Sequence, residues 1–387
     1  MGSADGTVVG STKVVDHGAD KDKWNLVVLG DGFRAADQAA YEAAVTTLVN
    51  TLNTTAPFDA SWDRVNVHRV DVHSTQAGAD NPATCGDGST PAGGTATTVA
   101  TYFDSSFCNS GIRRLLVCDA ALAVTTANAQ VSGWDAILVV VNSTEYGGSG
   151  GQVAVYSLAP AALEIALHET GHSAFGLADE YEYYAGCSSG EAGHDRHDAT
   201  EPTEPNVTIE TDRAKIKWRH LIDAGTAVPT TRNADCSKCD PQANPVAVGT
   251  IGLFEGAHYA HCGAFRPAFD CRMRTIGQPY CKVCQERIRA KLGATSKSTC
   301  FVATAVYGDG LHPDVVTLRG WRDRRLAPDA RGRRAMQGLA VTYERVGPPL
   351  ARRLAGHPRL AVPIRRAVFA PLARVIRRRG PTGRGRP

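Results

Sequence analysis

The chain has 387 residues, 43% of them apolar, 21% charged and 7% aromatic, which is long enough for two or three domains with packed cores and excludes a wholly disordered polymer. No apolar run reaches the length of about 18 residues that a spanning helix needs, and the first thirty residues lack the basic start and apolar stretch of a signal peptide, so the sequence alone predicts a cytoplasmic protein. The net charge of +3 is a cancellation: residues 301–387 hold 19 arginines, no lysine and five acids, a net of +14, against −11 for the first 300. Such asymmetry marks separate modules, and it predicts a first domain over 1–297, a basic helical domain over 298–379 and a disordered end at 380–387.

Read in order, the first domain alternates strands and helices. Trp24 to Leu29 is a short apolar run closed by Gly30-Asp31-Gly32, the pattern of a buried strand and its turn. Ala35 to Leu52 is alanine-rich with a helical rhythm. Val65 and Val67 alternate, as do Val70 and Val72, with a phase slip at Arg69 that predicts a strand with a bulge. Residues 78–104, rich in Gly, Thr and Pro, read mostly as loop, and strands are predicted again at Leu115 to Val117 and Ala136 to Val141. Tyr146 to Gly151 is glycine-rich but lacks the Lys-Ser/Thr of a phosphate-binding loop and leads into an alternating Val153, Val155 segment. It predicts a flexible rim beside an edge strand, where an extended peptide can add as a further strand. A helix is predicted from Pro160, a residue suited to a first helical position.

That helix carries His168, Glu169 and His172 in the spacing H-E-x-x-H. Positions four apart share a helix face, so two imidazoles can reach one zinc ion while the adjacent carboxylate leans toward a water-filled position. An isolated match is also what a solvated helix face gives by chance. Here Ile165, Ala166, Leu167 and Phe175 make the helix core-facing, and buried imidazoles and a carboxylate need a partner to offset their desolvation. Gly176 can turn the chain back, so Asp179 and Glu180 arrive seven and eight residues after His172. A zinc hydrolase needs a third protein ligand and an open position. In the metzincin pattern H-E-x-x-H-x-x-G-x-x-H the glycine and the third ligand each come one residue earlier than Gly176 and Asp179 do here. Asp179 is the predicted third ligand; Glu180, and His194 or His197 in a Gly/Asp-rich loop, are the alternatives. With Zn2+ on His168, His172 and Asp179, Glu169 would take the proton of the attacking water and return it to the leaving amine. Tyr259, Tyr280 and Tyr181 are candidates for the donor to the oxyanion, although for any one of the three a buried structural tyrosine is the stronger reading.

His168 to Tyr181, HETGHSAFGLADEY, resembles the H-E-x-G-H-x-x-x-G-L-x-D-E-Y core of the IgA-peptidase-like family of metallopeptidases. Further stretches carry the same resemblance: Leu29 to Phe33, with Phe33 in place of an expected Tyr, Tyr146-Gly147-Gly148, Phe254 to Ala257, Phe265-Arg266-Pro267, Cys271 to Arg274, and Tyr280 to Cys284. The resemblance covers about residues 7–292. It implies an α/β (α+β) metzincin-like zinc peptidase domain with a mixed sheet and an active-site helix, one catalytic zinc, a protein or peptide substrate, and Met273 forming a Met-turn under the metal. A protein that only bound its partner would need the ligands and not the base; the alternative is such a non-catalytic module, acting through its edge strand and basic tail.

Of eleven cysteines, Cys236 and Cys239 form one C-x-x-C pair and Cys281 and Cys284 another. They could together clamp a second, structural zinc, although the 41 residues between the pairs exceed the usual spacing; disulfides involving Cys262 and Cys271, or free buried thiols, are equal alternatives. Thr299 to Gly308 resembles the opening of the CFI-box C-terminal domain, with Val302 in place of Ile, and implies an envelope or exterior location. The residues beyond it read as short helices broken by prolines, a small all-α domain with a basic amphipathic segment near 360–379. Contact with an anionic membrane surface or a sorting partner is the functional reading, a solvated arginine face the plainer one, and no aromatic stacking motif supports nucleic-acid binding.

Overall fold

In chain order the elements are β1 (Gly6–Val15), β2 (Trp24–Asp31), α1 (Gln38–Thr54), β3 (Val65–Ser74), the short pair β4 (Thr84–Cys85) and β5 (Thr90–Pro91), α2 (Ala120–Gln130), and β6 (Ala136–Val141). There follow β7 (Gly148–Ser149), β8 (Ala154–Ser157), α3 (Ala162–Phe175), β9 (Phe254–Ala257), β10 (Ala260–Arg266) and α4 (Lys282–Gly293). The structure is a computed structural model and describes residues 2–85, 90–91, 93–182, 195–237 and 243–293, with 306, 314, 362–371 and 374 beyond them. Two compact units divide the chain, Met1–Ser296 and Lys297–Pro387. The second is helical over 362–371, with Arg365–Phe369 wound as a π-helix; the CFI-box stretch apart from Val306, and 360–361, 372–373 and 375–379 of the basic segment, lie outside the described residues. No described helix is long and apolar enough to cross a membrane.

A six-stranded mixed sheet in the order β1-β3-β2-β6-β8-β7 organises the first unit. The four inner strands are parallel, and the outer strands β1 and β7 run antiparallel to their neighbours. Period-two alternation sends Leu26, Val28, Leu138 and Val140 to a core shared with α1, α3 and α4. Val27, Leu29, Ile137, Val139 and Val141 point to the other face, against α2 and Phe103. Because both faces are covered, β2 and β6 are buried at every position; β6 reads as a continuous apolar run, and β2 does so but for the buried Asn25 and Asp31.

Two expectations fail here for instructive reasons. The phase slip in Val65–Ser74 is no bulge in β3, because Val65 to His68 are all buried and either phase meets core. The irregularities lie on its partner, where β1 inserts an extra residue between Val8 and Gly10 and again between Lys13 and Val15. Leu115 to Val117 forms isolated bridges to Gly148 and Ser106 rather than a named strand.

Candidate active site

Alanine, leucine and glutamate favour helix in α3, Glu164 complements its N-terminal dipole, and Ile165, Ala166 and Leu167 bury its inner face. It stops at Gly176, which takes the left-handed conformation (φ 62°, ψ 40°). Leu177 N–H then closes back on Gly171 O at 3.0 Å, a helix end that glycine permits without strain. This reversal returns Asp179 to the face that carries the histidines.

Three ligand-type atoms converge there. His168 Nε2 and His172 Nε2 are 3.1 Å apart, and Asp179 Oδ1 lies 3.1 Å from each. Both imidazoles are oriented from behind: His168 Nδ1–H donates to Arg272 O at 2.9 Å and His172 Nδ1–H to Leu177 O at 2.7 Å. A carbonyl only accepts, so each Nε2 turns a lone pair inward. Asp179 Oδ1 is buried and has no hydrogen-bond partner among the described residues. Two imidazole nitrogens, each with a lone pair inward when its ring is neutral, and a carboxylate oxygen facing one another call for a shared cation, a metal ion or a proton. Ligand atoms about 2.0–2.1 Å from a tetrahedral zinc stand roughly 3.3 Å apart, close to the observed triangle, so this donor set fits zinc.

Electrostatics reflects the same crowding. Burial disfavours the charged form of His172, but the Asp179 carboxylate outweighs it and holds the imidazole at about 9. Burial also opposes ionised Asp179, yet the two imidazoles keep its carboxyl well below the ordinary range. Glu169 is raised above the usual carboxyl value by burial, with partial relief from His168 and His172. A carboxylate tuned upward in this way is a stronger base.

The triangle opens into a cleft of about 670 Å³, bordered by Arg114, Tyr146, Gly150, Tyr181, Tyr259 and Arg274 among others. Gly150 crosses close above the site: a Cβ there would stand 2.7 Å from Glu169 Oε2. Below it, a Cβ on Gly171 would meet Met273 Sδ at 2.6 Å, so Met273 packs directly under the helix between the two histidines. The far wall is the β9–β10 hairpin, whose two-residue tip, His258 and Tyr259, has φ of 52° and 69°. Tips of this kind normally use Asn and Gly, and holding His and Tyr there costs backbone strain that the surroundings offset. His258 N–H donates to Asp179 O at 3.1 Å, Tyr259 N–H to Tyr181 O at 3.0 Å, and Tyr259 OH to Asp179 Oδ2 at 2.5 Å.

The family model of the IgA peptidase M64 matches residues 12–244 and 240–292. The chain belongs to the IgA peptidase M64 family. It is therefore a metallopeptidase by family, and no curated protein matches it.

Of the residues singled out in sequence, this M64 peptidase brings His168, Glu169, His172 and Asp179 together at the cleft. Glu180 points away from it, and its Oε1 lies 3.3 Å from Cys284 Sγ. His197 pairs with His258 Nδ1 at 2.8 Å, and His194 lies outside the described residues. Tyr280 is withdrawn as an oxyanion donor: it is fully buried and donates to Leu167 O. Tyr181 and Tyr259 remain in the cleft. The edge beside the glycine-rich loop is partly taken at Gly148, whose N–H donates to Arg114 O at 3.1 Å and beside which Leu115 runs parallel. The clamp of two C-x-x-C pairs does not form, since Cys236 is disulfide-bonded to Cys262 and Cys239 lies outside the described residues. Arg114, Arg274 and the carbonyls of Arg272 and Leu177 went unnoticed in sequence. Carbonyls carry no residue signature, and the arginines reach the cleft from segments remote in the chain.

Proposed function

We propose that the protein is a zinc-dependent endopeptidase with a metzincin-like site in which His168, His172 and Asp179 hold the metal and Glu169 is the general base. The observation that carries this reading is the triangle of two imidazole Nε2 atoms and a buried carboxylate oxygen 3.1 Å from each, with Glu169 beside it at the cleft. Bound zinc would supply a Lewis acid and lower the pKa of its water. Glu169 accepts the proton of the attacking water and delivers it to the leaving amine, and its raised carboxyl value suits both transfers. Tyr259, resting against Asp179 Oδ2, is the donor assigned to the developing oxyanion. Met273 supports the helix from below in the position of a Met-turn. An extended substrate segment lies between the Gly150 crossing and the Tyr259 tip.

The deciding experiment is metal analysis with a broad casein-type assay on wild type and Glu169→Gln. Wild type should cleave, and the variant should keep its zinc and lose about 10²–10⁴-fold in rate. A zinc-loaded wild type that cleaves nothing on a protein panel, or a variant of undiminished rate, overturns the reading.

A further inference from the structure

Behind Asp179, on the side away from the cleft, four side chains from three separated segments meet. They are Glu180, Cys271, and Cys281 and Cys284 at the start of α4, and their ligand-type atoms all lie within 4.8 Å of one another. Cys271 Sγ is 3.7 Å from Cys284 Sγ, and Cys284 Sγ is 3.3 Å from Glu180 Oε1. All three cysteines are free of disulfides, although Cys85–Cys108 and Cys236–Cys262 show that other cysteines of this chain are paired. Glu180, Cys271 and Cys284 are fully buried. Asn206 donates to Glu180 Oε1 at 2.9 Å, but Glu180 Oε2 has no hydrogen-bond partner among the described residues. Thiols are weak donors and poor compensation for a buried carboxylate. An apolar filling would serve a passive core better than this set does.

We propose that Glu180, Cys271, Cys281 and Cys284 bind a second zinc ion, in a closed structural site. Sulfur at about 2.3 Å and oxygen at about 2.0–2.2 Å from a tetrahedral zinc stand roughly 3.5–3.8 Å apart, and the two observed separations fall close to that. Cys281 N–H donates to Cys271 Sγ at 3.2 Å, which suits a sulfur that carries negative charge. Cys281 immediately precedes the N-terminus of α4, where the helix dipole favours a thiolate. Three thiolates and a carboxylate leave an excess of negative charge around the ion; the buried Arg266 guanidinium acts favourably on Glu180 and offsets part of it. Binding would release the thiol protons to solvent. With four protein ligands no position remains for water, so the role is to hold structure. What it holds is specific. Glu180 is bonded to Asp179 in the chain, and Cys271 precedes Arg272, whose carbonyl orients His168, and Met273, which underlies Gly171. One ion would fix the back of the catalytic triangle from two directions.

The proposal is independent of the catalytic reading, and its test keeps the two apart. The full chain is purified under reducing conditions, its zinc is measured, and the metal is exchanged for Co2+. Wild type should hold two equivalents of zinc, and the cobalt form should show a thiolate-to-cobalt charge-transfer band. His168→Ala/His172→Ala should keep one equivalent and the full band, whether or not the cleft is catalytic. Cys271→Ser/Cys284→Ser should lose the band; if that variant does not fold, the band in the histidine variant still decides. A cobalt protein without a thiolate band, a histidine variant that binds no metal, or a Cys281–Cys284 disulfide found by alkylation and mass mapping would each overturn it.

Discussion

Asp179 and Glu180 are neighbours in the chain, both buried and both carboxylates, yet they serve opposite surroundings. Asp179 faces two imidazoles and a solvent-reaching cleft, and its carboxyl is held far down. Glu180 faces three thiols in the interior, and its carboxyl is pushed well up because burial outweighs the help from Asn206 and Cys284. Consecutive residues leaving an extended turn point to opposite sides, so a single dipeptide reaches both places. On the readings proposed above, the difference is that between a catalytic metal site, which keeps a face open to substrate, and a structural one, which is closed on all sides by protein.

The comparison breaks most visibly at Asp179. Asp179→Ala should lower peptidase activity by at least about 10²-fold, more than loss of an outer-shell partner does, and should remove one zinc equivalent while leaving the thiolate-to-cobalt band in place. Metal analysis alongside the casein-type assay reads both. Loss of the band together with the activity would mean that the two carboxylates serve one site.

Tyr259→Phe comes next. It removes the hydroxyl from Asp179 Oδ2 and from the cleft while keeping the ring against Tyr181. Loss of an oxyanion donor costs about 10²–10³ in kcat, so kcat should fall on that scale with KM little changed and zinc retained. A fall in zinc content instead would make Tyr259 a support for the ligand rather than a donor to substrate.

Much of the open site was legible because its signal is local. His168, Glu169 and His172 lie within one helical turn and a half, and Gly176 marks the reversal that returns Asp179. The inner strands were legible too, since Ala136 to Val141 is apolar at every position and Trp24 to Leu29 at every position but Asn25. The closed cluster was not, because Glu180, Cys271 and the Cys281/Cys284 pair are close only after the chain has passed through β9 and β10. The spacing rule paired Cys281 and Cys284 with Cys236 and Cys239, whereas Cys236 lies against Cys262. Strand β1 escaped notice for another reason: it is an edge strand, largely exposed, and its identity comes from pairing with β3 rather than from its own pattern.

Packing beneath the open site gives a smaller effect. Gly171→Ala places a methyl 2.6 Å from Met273 Sδ, and overpacking of this kind costs about 1–3 kcal/mol. Chemical denaturation should report that loss. Activity should fall with it, because the methyl displaces the residue that underlies both histidines. Gly171→Ala/Met273→Leu, which shortens the opposing chain, should recover part of the stability; no recovery would place the strain elsewhere.

The smallest expected effect concerns the hairpin tip. His258 is kept below the usual imidazole value by burial, first of all, while Glu204 and Asp179 pull it up and His197 and Lys217 push it down. The unfolded chain, with an ordinary histidine near 6.5, therefore binds more protons than the native state as the medium turns acidic. The contribution is fully present above about pH 6.5 and is lost as pH falls through the depressed value of folded His258. Denaturant midpoints measured from pH 8 to pH 5 should decline on the acid side, and less steeply in His258→Asn. Asparagine tolerates the left-handed backbone at that position, so the variant should keep the hairpin and its Tyr259 contact with Asp179. An unchanged acid slope in His258→Asn would assign the decline to other groups and leave the tip as a purely steric wall of the cleft.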